Sequence, residues 1–375
     1  MADTDEGLSR QRTRKCRLRG WFQTEAIAIT KLAWPTAVAY ILQQVIFIVS
    51  VAFCGHIDAT SSVPLDAAAF AVSVINITGM SLGIGLATAL DTLATQAWGA
   101  KNYHKVGVYL QRCILIFALA MVPVYCLWFN IESVLNLLHQ PPCVVEQATD
   151  YIHIYSASLP AVFLFILLQR YLQAQNIVWP FIFTGLAANA VSALFHYLLI
   201  FVAGMGIRGA ATAIVLSNYA FLGVLLVIIY VRKLHRKTWG GWSRESLKDW
   251  FQIVRYGFPG YIMIAVEWWT FEIGIFVTGY LADSEIQQGI YAILINYATI
   301  VFMVTYALSV ALAIRVGNEL GAGEQVSKCV RYAHMNACAD RAGQAMTCLG
   351  SAHIPGTYVV LASPLQKVAL SFLHV

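Results

Sequence analysis

Three observations predict an all-α polytopic membrane protein. Of the 375 residues, 59% are hydrophobic and only 11% charged, with a mean hydropathy of +0.67; a soluble domain carries roughly twice that share of charge. Apolar runs recur along the whole chain, each reaching the ~20 residues that a helix needs to cross a hydrocarbon core. Charges gather between the runs, and basic connections alternate with acidic ones. The net charge of +5 is therefore read as membrane topology, and no nucleic-acid partner is expected. Eight cysteines contain no CxxC pair, and Cys54, Cys113 and Cys126 lie in apolar runs, so neither a disulfide framework nor a metal cluster is expected.

Residues 1–24 read as a polar, basic tail. The apolar run at 25–54 is too long for the core of a cleaved signal and is expected to remain as span 1. Pro35 falls in its early turns, where few amide hydrogen bonds are lost. Span 2, at 67–96, is rich in small residues (TGMSLGIGLATA), which lets neighbouring helices approach closely. Asn76 stands in an Asn-Ile-Thr sequon inside this span, where glycosylation is not expected. Spans 3 to 6 fall at 107–130, 149–172, 178–203 and 208–231. A polar stretch, VRKLHRKTWGGWSRESLKDW, precedes spans 7 and 8 at 252–281 and 287–315.

Lysine and arginine crowd the N-terminal tail and the 2–3 and 6–7 connections, and follow span 8 at Arg315, Lys328 and Arg331. The 1–2, 3–4 and 7–8 connections carry Asp58 and Asp66, Glu132 and Glu146, and Asp283 and Glu285. The positive-inside rule then places the N-terminus in the cytoplasm.

The chain also repeats itself. Trp34-Pro35 returns as Phe258-Pro259 and Cys54-Gly55 as Thr278-Gly279, both at a spacing of 224. The stretch Gln96-Ala97-Trp98-Gly99-Ala100 returns as Asn318-Glu319-Leu320-Gly321-Ala322 at a spacing of 222. Spans 1 and 2 thus correspond to spans 7 and 8. Six spans, an even number, separate the copies, so the repeats are parallel, with a cavity expected between the halves. The domain reading is a tail at 1–24, a six-helix lobe at 25–232, a linker at 233–251, a partial second lobe at 252–335 and a divergent tail at 336–375. The last segment has Gly and Pro breaks and a short apolar stretch interrupted by Pro364 and Lys367, so the second lobe is expected to be incomplete.

Span 7 carries two carboxylates among aromatic rings, Glu267 and Glu272 in YIMIAVEWWTFEIG. Acids in a membrane-length run must face protein or a water-filled path, which points to binding of a cation or a proton. Five residues turn a helix by about 140° and advance it about 7.5 Å, so the two need not meet the same ligand atom. A proton and a cation compete for one carboxylate, which is the minimum coupling an exchanger needs. Aromatic faces attract desolvated organic cations, and Trp269 and Tyr297 are candidates for that contact.

Several stretches together resemble the multidrug and toxic compound extrusion family: VAFCGHID at 51–58, residues 71–112, GIRGAATA at 206–213, EWWTFEIG at 267–274 and RVGNELGAG at 315–323. The chain is most similar to the animal proton-coupled organic-cation antiporters, over roughly 21–335. That resemblance implies a fold of two parallel six-helix lobes working by alternating access. It also implies that Glu267 and Glu272 line the cation and proton cavity. An acid usual in span 8 of vertebrate members is matched here by the neutral Asn296.

In the first lobe, Gln43, Asn76 and Asn189 are candidates for the cavity wall, with interhelical hydrogen bonding as the alternative. Asp91, followed by Gln96, is expected to pair with a basic or amide group near a cytoplasmic closure. His56 is a candidate for a proton- or cation-sensitive role, with a polar loop contact as the alternative. No phosphate loop, zinc motif or nucleophile–base set stands out. The expectation is a carrier rather than an enzyme, without cofactor, driven by a proton gradient. It would move small organic cations or drugs across the plasma membrane, with protons and lipids as its other partners. The rival expectation is a transport-inactive truncated product, unstable or assembling with another chain.

Overall fold

The computed structural model describes residues 2–57, 63–137, 142–278 and 284–323, with side chains other than those of 2–24, Phe47, Val51, Asp66, Leu137 and 271–298. Among the described residues all regular structure is helical. Helix α1 runs Ala2–Cys54; α2 (Val63–Ile75) and α3 (Ser81–Gly99) are joined by a π-turn at Asn76–Met80. There follow α4 (Tyr103–Phe129), the short α5 (Ile131–Leu137), α6 (Pro142–Ser156), α7 (Leu159–Ala174) and α8 (Trp179–Tyr197), which ends in a π-turn at Leu198–Val202. Then come α9 (Gly206–Val231), a 3-10 turn at Arg244–Leu247, α10 (Trp250–Thr278) and α11 (Ser284–Gly321).

Among the described residues six stretches have the length and hydropathy to cross a membrane, and the bent pair α6–α7 makes a seventh. The chain is a multi-pass membrane protein. Besides the π-turn within span 2, three elements differ from the sequence reading. The basic tail continues α1 as helix, so its 53 residues reach about 80 Å and must project beyond a ~30 Å core. Span 4 is broken rather than straight, bent by 55° between α6 and α7. Pro160 in the first turn of α7 has no N–H to continue the ladder, and the Ser158 hydroxyl caps the Tyr155 carbonyl instead. Span 8 runs to Gly321, past the expected end at 315, with Arg315 and Glu319 paired one turn apart. The expected segment 324–335, the tail at 336–375, and Asp58 and Asp283 lie outside the described residues.

One end of the bundle collects the basic connections. Helices α3, α7 and α9 close alike, with Lys101, Asn176 and Lys233 in the left-handed region. The amides of Asn102, Ile177 and Leu234 then reach back to the carbonyls of Ala97, Leu172 and Ile229, filling orphaned acceptors. Across this basic end lies the 233–249 connection. Gln111 holds it by donating to the Gly241 carbonyl at 2.7 Å and accepting from the Ser243 amide at 3.0 Å. The Arg112 fork donates to the Glu245 carbonyl at 3.1 and 3.2 Å, and Tyr171 bonds the buried Thr238 hydroxyl. The connection is therefore a strap fastened to α4 and α7, and it sets where α10 begins.

The two repeats meet along α3, which packs against both α10 and α11, while α1 packs against α11 and α8. At the basic end the contact is reciprocal. A Cβ added at Gly99 would collide with the Asn318 carbonyl, and one at Gly321 with the carbonyl of Gln96. Asn318 is the repeat partner of Gln96, and Gly321 that of Gly99. Thr95 lies against Gly317, its own repeat partner, so this pair marks the local two-fold axis. Glycine is required here because two backbones approach with no room for a side chain.

Candidate functional site

The middle of the bundle holds a polar cluster within an apolar frame. Arg170 on α7 is 4% exposed, in the run LPAVFLFILLQRYLQA. One of its guanidinium nitrogens lies 3.5 Å from the Asp91 carboxylate on α3 and 3.5 Å from the Tyr40 hydroxyl on α1. The other donates to the Tyr306 hydroxyl on α11 at 2.9 Å. Tyr40 also accepts from Gln173 at 3.3 Å, and its ring lies 5.4 Å from that of Tyr306. A buried guanidinium persists only when its charge and its donors are met, and three neighbouring helices supply the partners here.

Nearer the basic end, Arg315 of α11 meets Glu25 of α1 at 2.9 Å and Glu319 at 3.2 Å. Asn318 donates to the Asn176 side chain at 3.3 Å. These contacts reinforce the glycine seam, so α11 is fastened to the first repeat at two levels.

Glu267 is partly buried on α10, beyond the point where that helix crosses α3. At the crossing, Tyr261, Gly260 and Gly257 lie against Gly85, Thr88 and Leu86. Farther along, α10 reaches the π-turn that begins with Asn76. Glu267 is thus separated from the basic end by the crossing. Trp269 lies about 200° round the helix from Glu267 and is 49% exposed. Glu272, Asn296 and Tyr297 belong to α10 and α11, but their side chains lie outside the described ones.

The other candidates separate. Asn189 donates to the carbonyls of Leu42 and Gly185, both at 2.8 Å, and ties α8 to α1 beside the partly buried Gln43. His56 is exposed and its Nδ1 bonds the Ala52 carbonyl at 2.7 Å. Gln96 lines a surface hollow of about 330 Å³ at the basic end, shared with Lys105, Tyr109, Gln252 and Tyr256. The basic partner of Asp91 is Arg170, which the sequence reading missed. The signal was present, because a lone arginine in an apolar run is as costly as a lone carboxylate.

The fold and this cluster define a polytopic membrane protein of parallel repeats that meet over intramembrane charges. The MatE family profile matches residues 35–202 and 259–335, and the chain belongs to that family. It is 41% identical over 302 residues to multidrug and toxin extrusion protein 1 of Danio rerio, covering 80% of this chain and 50% of that protein. Human multidrug and toxin extrusion protein 1 is 40% identical over 310 residues, covering 83% of this chain and 54% of its own length. The chain spans about half the length of the curated relatives it matches. The crystal structure of the eukaryotic MATE transporter AtDTX14 superposes with a TM-score of 0.77 at 28% identity, covering 84% of this chain and 69% of that one. The Vibrio cholerae MATE transporter VcmN, in its bent form, shares the fold alone, at 17% identity and a TM-score of 0.68 over 84% of this chain and 70% of its own.

Proposed function

We propose that this chain carries organic cations out of the cell in exchange for protons, by alternating access, across the plasma membrane and without a cofactor. The basic end faces the cytoplasm in this reading, with the N-terminus on that side, as the excess of lysine and arginine there favours. The observation that carries the proposal is the reciprocal seam of Gly99 with Asn318 and Gly321 with Gln96. A contact that two repeats make symmetrically at one end is the kind that rocking of the halves can exchange for an opening there. Glu267 lies beyond that seam, where a cation arriving at the carboxylate would compete with its proton. Relatives named for multidrug and toxin extrusion support the substrate class.

The test is flux of a labelled organic cation into proteoliposomes holding this chain, under an imposed proton gradient. Saturable, gradient-dependent flux is expected, weakened in Glu267→Gln and Glu272→Gln at equal protein incorporation. Flux in both variants with the parent's rate and pH dependence would overturn the assignment of the acids.

A further inference from the structure

We infer that Arg170 is a positioning residue that clasps α11 to the first repeat through Tyr306, so that α11 leaves the seam only when this clasp opens. The inference rests on the alternating-access reading and adds to it a residue that neither lobe's acids specify.

The partners of Arg170 are unequal in what they join. Asp91 and Tyr40 belong to the first repeat, as Arg170 itself does, whereas Tyr306 belongs to the second. Helices α7 and α11 touch only over a short length, so the bond from Arg170 to Tyr306 is a large part of what connects them. Tyr306 precedes Gly317 by eleven residues, about 16 Å along α11. The clasp therefore holds the middle of a helix whose end forms the seam. On the first repeat, Asp91 stands one turn before Thr95 on α3, and Thr95 sits on the local two-fold axis.

The chemistry gives the clasp a direction. Arg170 keeps its charge partner, Asp91, whether α11 is near or far, so releasing Tyr306 costs one charge-assisted hydrogen bond rather than a buried ion pair. A second cation arriving beside Asp91 competes for the carboxylate and repels the guanidinium. Cation occupancy thereby loosens the hold on α11, which makes Arg170 a resident stand-in for the transported charge.

The test uses the full chain in liposomes with a Thr95→Cys reporter, labelled by an impermeant maleimide and read at position 95 by peptide mass spectrometry. Tyr306→Phe removes only the acceptor on α11 and should raise the labelling rate about tenfold, the worth of one such hydrogen bond. Phe302→Leu, which alters the ring stacked 5.8 Å from Tyr306, should leave the rate unchanged. Arg170→Gln alone strands Asp91 and is expected to fold poorly. Asp91→Asn with Arg170→Gln removes both charges, and should restore folding while labelling as fast as Tyr306→Phe. Added organic cation should speed labelling of the parent and not of Tyr306→Phe. Labelling of Tyr306→Phe at the parent's rate would overturn the clasp, whatever the flux. Shifted labelling with no flux in any form would sink the transport reading and leave the clasp standing.

Discussion

The repeat makes one helix contact twice, as α3 against α10 and as α11 against α1. Position by position the two correspond. Gly85 lies against Tyr261 in the first, and their repeat partners Ala307 and Ala37 pack into one cluster with Tyr40, Val310 and Ile314 in the second. The chemistry differs. The α3–α10 contact is a groove of glycines matched to a neighbouring backbone, with the Leu86 carbonyl 3.0 Å and the Gly85 carbonyl 3.1 Å from Cβ atoms built at Gly257 and Gly260. The α11–α1 contact has side chains in the same places, and it adds the ring pair Tyr40–Tyr306 and the ion pair Glu25–Arg315. Even the acids diverge. Asp249 is the repeat partner of Glu25, yet it reaches Arg112 on α4 at 3.4 Å, because Leu93 stands where Arg315 would repeat. Repetition therefore fixes the geometry of a helix pair, while the residues decide whether ions can act on it. At the crossing itself the first contact is glycine against backbone, whereas the second carries a charged pair, Glu25 and Arg315.

The largest expected effect tests the steric half of that contrast. Gly85→Ala drives a methyl into the Tyr261 backbone, which cannot rotate away as a side chain would, and should cost about 3 kcal/mol. The mirror change, Ala307→Gly, removes a methyl and adds backbone freedom, for about 1 kcal/mol. Unfolding of the purified protein in mixed detergent, followed by far-UV circular dichroism, measures both. Equal losses would mean that the two contacts are packed alike.

The next effect tests the ionic half. Glu25 and Arg315 are partly shielded, with side-chain exposures of 13% and 23%, so the pair is screened less than a surface pair. A double-mutant cycle of Glu25→Gln and Arg315→Gln should give a coupling of about 1 kcal/mol, because each single change leaves the other charge short of its partner. Arg315 keeps Glu319, which limits the loss on that side. The coupling should survive a rise in salt that abolishes exposed pairs. Zero coupling would reduce the α11–α1 contact to its apolar cluster.

Much of this architecture was legible in the sequence because spans and repeats write themselves in long patterns. Apolar length marked the crossings, and the stretches at 96–100 and 318–322 marked the halves that meet. What stayed hidden was local or three-dimensional. The break at Ala157-Ser158 carries one mark, Pro160, a residue that unbroken spans also hold, as Pro35 shows in α1. The π-turn at Asn76–Met80 falls inside a stretch that reads as one span. Glu267 was visible as an acid out of place. Arg170, equally displaced, stands near the end of its run, where an arginine reaching toward the interface is ordinary. Its partners lie on helices far away in sequence, from Tyr40 to Tyr306, and no spacing rule brings them together. Asn189 shows the reverse, since a polar residue in a span proved to hold the Leu42 carbonyl of a neighbouring helix.

The smallest expected effect sharpens the comparison at the start of α10. If Asp249 did for α10 what Glu25 does for α1, its removal would loosen a helix contact. Its side chain is 71% exposed, and an exposed pair contributes little, so Asp249→Asn should change stability by less than about 0.5 kcal/mol. Arg112 matters through a different bond, the two-pronged donation to the Glu245 carbonyl. Arg112→Lys keeps the charge but loses the planar fork, and should cost about 1 kcal/mol. The damage should be local, since Gln111 and Thr238 still hold the strap. Hydrogen exchange read by mass spectrometry should rise in 243–249 and stay level in α1 and α11. Faster exchange in α11 would show that the strap supports both contacts, and would remove the distinction between them at the basic end.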